Sequence, residues 1–215
     1  AYRAFWNEKN VMVGPDGMPA YVDTLSGVPH VCAKVPTGGG KTYIAASAVR
    51  TIFDAMPQRR ARAVVWLVPS DAILTQTRNA LQNPGHPYRQ RLDVDFGGAV
   101  QVYSKEQALM GQNFTPATVA EQLSVFVLSY DSFRTSKKEG RKAYQENGSL
   151  AGFAKWMNDP SVLLADTDET ALIQVIRFLN PVVIVDESHH AASQLSMEML
   201  RNFNPSFVLD LTATP

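Results

Sequence analysis

The chain has 215 residues, of which 45% are hydrophobic and 19% charged, a composition typical of a soluble globular domain with one sizeable core. Because the formal net charge is zero, a broad basic surface that neutralises many phosphates is excluded, and any contact with nucleic acid is expected to be local. The single cysteine excludes an intrachain disulfide and a cysteine-rich zinc site. The sequence has no apolar run of membrane length and no secretory signal, so we expect no membrane contact and a cytoplasmic location.

Residues 1–30 are predicted to form an N-terminal lead-in to the main domain. They open with aromatic side chains and continue with the apolar residues 11–13. Residues 14–17 are strong turn formers, so residues 20–22 could return as the hairpin partner of residues 11–13.

From residue 31 onward, strand and helix patterns alternate. Short apolar runs predict strands at residues 31–35, 64–68, 99–103, 125–128, 182–185 and 207–211. Near-continuous apolar strands of this kind are buried on both faces, so the predicted fold is α/β, with a mostly parallel central sheet flanked by helices. Cys32 lies in the first strand and is expected to be buried. The alternation lapses at residues 131–180, where we predict a mostly helical insertion.

Helices are predicted after the first two strands and near the end of the insertion. Residues 43–56 have a helical pattern, and Ser70 is placed to cap a helix over residues 71–81. Asp166 followed by Glu169 has the spacing of a capping box, which predicts a helix start at this point.

The most informative motif is the run Pro-Thr-Gly-Gly-Gly-Lys-Thr at residues 36–42. Consecutive glycines let the backbone turn tightly, and their N–H groups at a helix start form an anion-binding nest. Lys41 adds a point charge for the β- and γ-phosphates, and Thr42 adds a hydroxyl ligand for Mg²⁺. The predicted nucleotide-binding loop therefore comprises Thr37, Gly38, Gly39, Gly40, Lys41 and Thr42. The alternative is an ordinary glycine-rich loop, and one position departs from the strict pattern, with Val35 in place of glycine.

A second motif ends the fifth predicted strand in two carboxylates, Asp186 and Glu187. Ligands bind at the carboxyl edge of open α/β sheets, and the glycine-rich loop follows its own strand at the same edge. Asp186 could then hold Mg²⁺ opposite Thr42, and Glu187 could polarise the water that attacks the γ-phosphate. The alternative is an Asp-Glu pair that caps the next helix.

A third motif is Thr-Ala-Thr at residues 212–214, directly after the sixth predicted strand. Its hydroxyls could hydrogen-bond the Asp-Glu-Ser-His segment at residues 186–189; read alone, it is a polar strand end. In this order, the three motifs resemble motifs I, II and III of superfamily 2 helicases, with a motif II of the DExH type. These motifs belong to the first RecA-like domain of that superfamily, so the resemblance implies a RecA-like P-loop domain over residues 31–215.

Other segments extend the resemblance. Residues 68–74 resemble motif Ia, and residues 128–133 fall where motif Ib-like contacts occur. The sequences Val-Pro-Ser at residues 68–70 and Asn-Pro at residues 204–205 resemble those in the translocase part of type III restriction enzymes, the Res subunit.

The resemblance implies an ATP-binding motor that hydrolyses ATP with Mg²⁺ and depends on nucleic acid, with double-stranded DNA as the favoured partner. Lys41, Asp186 and Glu187 would carry catalysis, and Thr42 and Asp186 would hold Mg²⁺. The residues that would couple hydrolysis to movement are His189, Thr212 and Thr214. The residues that would contact the nucleic-acid backbone are Pro69, Ser70, Asp71, Ser129, Tyr130 and Asp131.

Two positions depart from the family pattern. Asp71 stands where many relatives have a basic residue, so a charged phosphate contact is in doubt there, although N–H groups at the helix start could still serve. No glutamine precedes Gln58, so the upstream glutamine that reads adenine in many relatives is missing. The preference for ATP therefore comes from the resemblance alone.

The resemblance also implies partners. In this superfamily an arginine finger, which can raise the rate by about 10³ to 10⁵, comes from a second RecA-like domain of the same polypeptide. That domain is absent from this sequence, so we expect residues 1–215 alone to bind Mg-ATP weakly and to hydrolyse it very slowly, with little stimulation by DNA. A type III system would add a methyltransferase subunit.

Rival functions remain open. A DNA repair helicase or an RNA helicase of the same superfamily would carry the same motifs. A nucleotide kinase would need a phosphate-acceptor pocket and gives no reason for the Thr-Ala-Thr motif. A P-loop interaction module without turnover could lose Lys41, Thr42, Asp186 and Glu187 without harm, and all of them are present.

Overall fold

A computed structural model describes residues 2–15, 17–18, 25–56, 61–133, 141–186 and 194–213. All the predicted strands are present and pair in parallel, which confirms the α/β prediction. Their order across the sheet is β1-β6-β5-β2-β4-β3. The strands are β1 (His30–Lys34), β2 (Arg62–Val68), β3 (Val100–Tyr103), β4 (Leu123–Ser129), β5 (Val182–Asp186) and β6 (Phe207–Thr212).

Both faces of the sheet are covered because its central strands are apolar at nearly every position. Alternate residues of β2 enter different hydrophobic clusters: Val65 and Leu67 belong to one cluster, and Val64 and Trp66 to the other. All residues of β4 and β5 are buried. This two-sided burial is typical of a parallel sheet between two helical layers.

Helices follow the strands as the alternating pattern predicts. On one face lie the helices after β1 and β2, and on the other lie the insertion and the last two helices. The α-helices are α1 (Tyr2–Glu8), α2 (Lys41–Asp54), α3 (Asp71–Gln82), α4 (Pro87–Phe96), α5 (Lys105–Leu109), α6 (Pro116–Glu121), α7 (Leu172–Leu179) and α8 (Gln194–Phe203). Ser70 caps α3 as predicted, and its hydroxyl accepts from the N–H of Ile73 at 3.4 Å. None of the described helices is long and apolar enough to cross a membrane.

The insertion is helical, but short 3₁₀ turns account for much of it. The 3₁₀ segments are Tyr130–Phe133, Lys142–Tyr144, Gly148–Trp156 and Pro160–Val162.

The predicted capping box is wrong. Helix α7 begins at Leu172, with Ala171 as its N-cap, and Asp166 lies in the left-handed region at φ 55°. The reason is a competing local hydrogen bond, because the carboxylate of Asp168 accepts from the N–H of Thr170 at 2.8 Å and forms a turn there.

The predicted burial of Cys32 is also wrong. The thiol is exposed because β1 is the end strand of the described sheet, where Val31 is also 47% exposed. The pKa of the thiol is raised, first by partial desolvation and then by the carboxylate of Asp210, so the reactive thiolate is disfavoured.

The lead-in contains α1, where the rings of Phe5 and Trp6 meet edge to face at 5.1 Å between centroids. An isolated bridge joins Val13 and Met18. The predicted hairpin partner at residues 20–22 lies outside the described residues.

Gln174 anchors the loop that precedes α7. Its side chain is fully buried, and its amide nitrogen donates to the carbonyls of Leu164 and Thr167 at 2.9 and 3.0 Å. Its amide oxygen accepts from the N–H of Leu164 at 3.0 Å. One side chain therefore pairs three backbone groups that the loop cannot pair within a helix or a strand.

We expect Gln174→Ala to lower the free energy of unfolding by about 2–4 kcal/mol, because it leaves backbone groups unpaired and opens a cavity. The exposed Gln112 offers a matched control, and Gln112→Ala should change stability by less than about 0.5 kcal/mol. Urea unfolding followed by circular dichroism measures both. Equal stability of the two variants would contradict the anchoring role.

Candidate nucleotide-binding site

The glycine-rich loop has a backbone that only glycine accommodates. Gly38 and Gly40 have φ angles of 78° and 77°, in the left-handed region that side chains rarely adopt. At Gly39, a Cβ atom would lie 2.8 Å from Cγ1 of Val35 and 2.9 Å from a backbone oxygen, so any side chain would clash. The three glycines are thus required by this shape of the loop, and Val35 is accommodated where the strict pattern has glycine.

Lys41 and Thr42 are the first two residues of α2, with Gly40 as the N-cap. The loop residues Thr37 to Gly40 are exposed, and Lys41 and Thr42 are half-buried. A helix N-terminus carries partial positive charge and open N–H groups, so this end of α2 favours phosphate groups.

The ends of three neighbouring strands bring the three motifs together. In the sheet, Lys34 of β1 lies beside Thr212 of β6, and Leu211 of β6 lies beside Asp186 of β5. The N–H of Val35 donates to the carbonyl of Thr212 at 2.8 Å, so the start of the loop is bonded to the end of β6. Motifs far apart in sequence therefore share one edge of the sheet.

Asp186 and Thr212 are both buried, with 7% and 6% of their surface exposed. A buried carboxylate is costly unless charges or hydrogen bonds compensate it, and such carboxylates often serve as ligands. The other predicted residues of these motifs lie outside the described residues; they are Glu187, His189 and Thr214.

The donor set at this edge fits Mg²⁺ bound together with a nucleotide. In the described part of the chain, no three His, Cys, Asp or Glu side chains form a cluster that could hold a metal ion. Mg²⁺ usually takes one or two carboxylates and completes its shell with substrate phosphates and waters. The hydroxyl of Thr42 and the carboxylate of Asp186 offer oxygen donors that suit this shell.

The motif Ia-like segment follows β2 at the same edge. Ser70 and Asp71 are exposed and Pro69 is half-buried, so this segment is accessible to a ligand. The hydroxyl of Ser70 is directed into the helix as its cap.

The motif Ib-like segment is turned inward. Ser129 and Tyr130 are 7% and 6% exposed, and the side chain of Asp131 lies outside the described residues. The N–H of Ser129 donates to the hydroxyl of Ser132 at 3.2 Å, and the hydroxyl of Tyr130 lies 3.5 Å from the carbonyl oxygen of Asp186. These side chains hold the segment in place, which leaves its backbone for any contact with nucleic acid.

Sequence reasoning missed Lys105 and its contact with Ser132. Lys105 opens α5 after β3 and is 8% exposed, and its ammonium group donates to the carbonyl of Ser132 at 2.7 Å. The capping box of Ser104 and Gln107 is visible in the sequence and predicts the helix start, but not the burial of the lysine within it.

The family model described as "Type III restriction enzyme, res subunit" matches residues 18–215. Among solved structures, a nuclease-deletion mutant of the Type ISP restriction-modification enzyme LlaGI in complex with a DNA substrate mimic aligns with 86% of this chain, at 15% identity and a TM-score of 0.44. This chain spans only 15% of that chain. No curated protein matches. Because the family model covers most of the chain, this RecA-like α/β domain belongs to the family of type III restriction enzyme res subunits.

Proposed function

We propose that this chain is the ATP-binding motor domain of a nucleic-acid-dependent ATPase, a helicase or translocase of a restriction enzyme. One observation carries the proposal. The glycine-rich loop follows β1, Thr212 ends β6 and Asp186 ends β5, and these three adjacent parallel strands end at the same edge of the sheet. Family membership supports the same function. A cytoplasmic location is part of the proposal.

The loop would bind the triphosphate through its N–H groups and the N-terminus of α2, while Lys41 would contact the β- and γ-phosphates. Thr42 and Asp186 would hold Mg²⁺, which when bound supplies charge neutralisation on the phosphates. Glu187, next to Asp186 in the sequence, would orient the attacking water.

Coupling to nucleic acid would start at the same edge. The carbonyl of Thr212 accepts from the N–H of Val35, so a shift at the end of β6 would reach the glycine-rich loop directly. Within the proposal, His189, Thr212 and Thr214 link hydrolysis to movement, and the segment at residues 69–71 contacts the nucleic-acid backbone. Double-stranded DNA is the proposed track, and a second RecA-like domain and a methyltransferase subunit are the proposed protein partners.

We expect Lys41→Ala in the full-length protein to reduce ATP hydrolysis by about 100-fold or more, because the substitution removes the positive charge that would contact the transferred phosphate. Phosphate release, measured with and without a linear DNA duplex, tests this. Lys155 is exposed on a 3₁₀ turn of the insertion, so Lys155→Ala serves as a matched control and should keep the wild-type rate. Unchanged hydrolysis in Lys41→Ala would contradict the assignment of the nucleotide site. Transfer of phosphate from ATP to a nucleotide acceptor would instead favour a nucleotide kinase.

Removal of divalent metal with EDTA should abolish hydrolysis, and added Mg²⁺ should restore it. Asp186→Asn should raise the Mg²⁺ concentration needed for half-maximal activity by about tenfold or more, because a ligand charge is removed. The exposed Asp159 provides the control, since Asp159→Asn should leave the Mg²⁺ requirement unchanged. Full hydrolysis in EDTA, or an unchanged requirement in Asp186→Asn, would contradict the proposed role of Asp186.

A further inference from the structure

Lys105 is a buried lysine that follows β3 at the same edge of the sheet, and it is not among the residues of the proposed nucleotide site. It opens α5, the residue is 8% exposed, and its ammonium group donates to the carbonyl of Ser132 at 2.7 Å. The same group lies 5.9 Å from the ring centroid of Phe133. Burial of an ammonium group costs free energy unless hydrogen bonds and charges compensate it. The position of Lys105 therefore depends closely on the turn that it contacts.

That turn, Tyr130–Phe133, follows β4 and is held by a second set of contacts. The N–H of Ser129 donates to the hydroxyl of Ser132 at 3.2 Å, and the two serine hydroxyls are 3.1 Å apart. The carbonyl of Ser132 thus accepts a hydrogen bond from Lys105, and its hydroxyl accepts one from the N–H of Ser129 at the end of β4. Displacement of the ammonium group would loosen the whole turn.

The turn reaches the nucleotide site through Tyr130. Its buried hydroxyl lies 3.5 Å from the carbonyl oxygen of Asp186, at the limit of a hydrogen bond. In the sheet, β2 lies between β4 and β5, and the end of β2 leads into the exposed Ser70 and Asp71. The contact of Tyr130 with Asp186 therefore spans the strand from which the motif Ia-like segment extends.

We propose that Lys105 is a positioning residue that couples nucleic-acid engagement to ATP hydrolysis by holding the Tyr130–Phe133 turn against Asp186. This inference rests on the proposed function. Nucleic acid that presses on the segments after β2 and β4 would shift the turn, and Tyr130 would pass the shift to the backbone of Asp186. Buried polar networks change between discrete arrangements rather than by gradual deformation, which makes such a link effective.

The first test is hydrogen exchange on the full-length protein. Lys105→Met removes the charge and the donor but keeps a long apolar stem, so the amides of residues 129–133 should exchange about tenfold faster than in the wild type. Lys105→Arg keeps a charged donor and should restore most of the protection. Lys155→Met, on an exposed lysine, should change nothing at residues 129–133. Wild-type protection in Lys105→Met would overturn the proposal.

The second test is the ratio of ATP hydrolysis with a linear DNA duplex to hydrolysis without it. For Lys105→Met we expect this ratio to fall about tenfold while hydrolysis without DNA stays within about twofold, because the lysine contacts the Tyr130–Phe133 turn, which is not part of the proposed nucleotide site. A lysine that only stabilised the fold would lower both rates together. Lys105→Arg should recover part of the ratio, and Lys155→Met should keep all of it.

A milder variant keeps the proposal testable if Lys105→Met folds poorly. Tyr130→Phe removes only the hydroxyl and should lower the same ratio about threefold to tenfold. Because both residues act along one route, the double variant should lose no more than the worse single variant. Additive losses, or a wild-type ratio in both single variants, would overturn the inference while leaving the proposed function intact. A wild-type protein that hydrolyses ATP without any stimulation by DNA or RNA would instead refute nucleic-acid dependence, and the coupling role with it.

Discussion

The site depends on the register of three adjacent parallel strands. β6 lies between β1 and β5, which places Thr212 beside Lys34 and Leu211 beside Asp186. The hydrogen bond from Val35 to Thr212 then joins the start of the glycine-rich loop to the end of β6. A slip of one residue would turn every side chain of the slipped strand to the opposite face of the sheet. Packing of both faces against the helical layers therefore holds this edge of the sheet in register.

The same burial explains why polar side chains meet at this edge. Apolar residues occupy most positions of the central strands, and a hydroxyl or carboxylate group stands at the carboxyl end of β4, β5 and β6. Asp186 follows four buried apolar residues of β5, and Ser129 ends the fully buried β4. Since all the described strands are parallel, these ends lie at one edge, and a contact such as that of Tyr130 with Asp186 crosses β2 to link them.

Local patterns could predict the strands, helices α2 and α3 and the cap at Ser70, because each depends on residues close in sequence. The two wrong predictions have different causes. Cys32 is exposed because β1 is the end strand of the described sheet, and strand order is not a local property. At Asp166, the local pattern was ambiguous, and the hydrogen bond of Asp168 with Thr170 formed instead of the capping box.

The sequence by itself determined which residues are the candidates for phosphate and metal binding. A run of glycines before Lys41 and Thr42, and a carboxylate at the end of an apolar strand, are recognisable from neighbouring residues alone. The tertiary structure alone decided the order of the strands, the inward direction of Tyr130 and the burial of Lys105. The physical reason is that these features come from contacts between residues far apart in the chain. Such contacts depend on packing and strand register, which the local periodicity of hydrophobic residues does not predict.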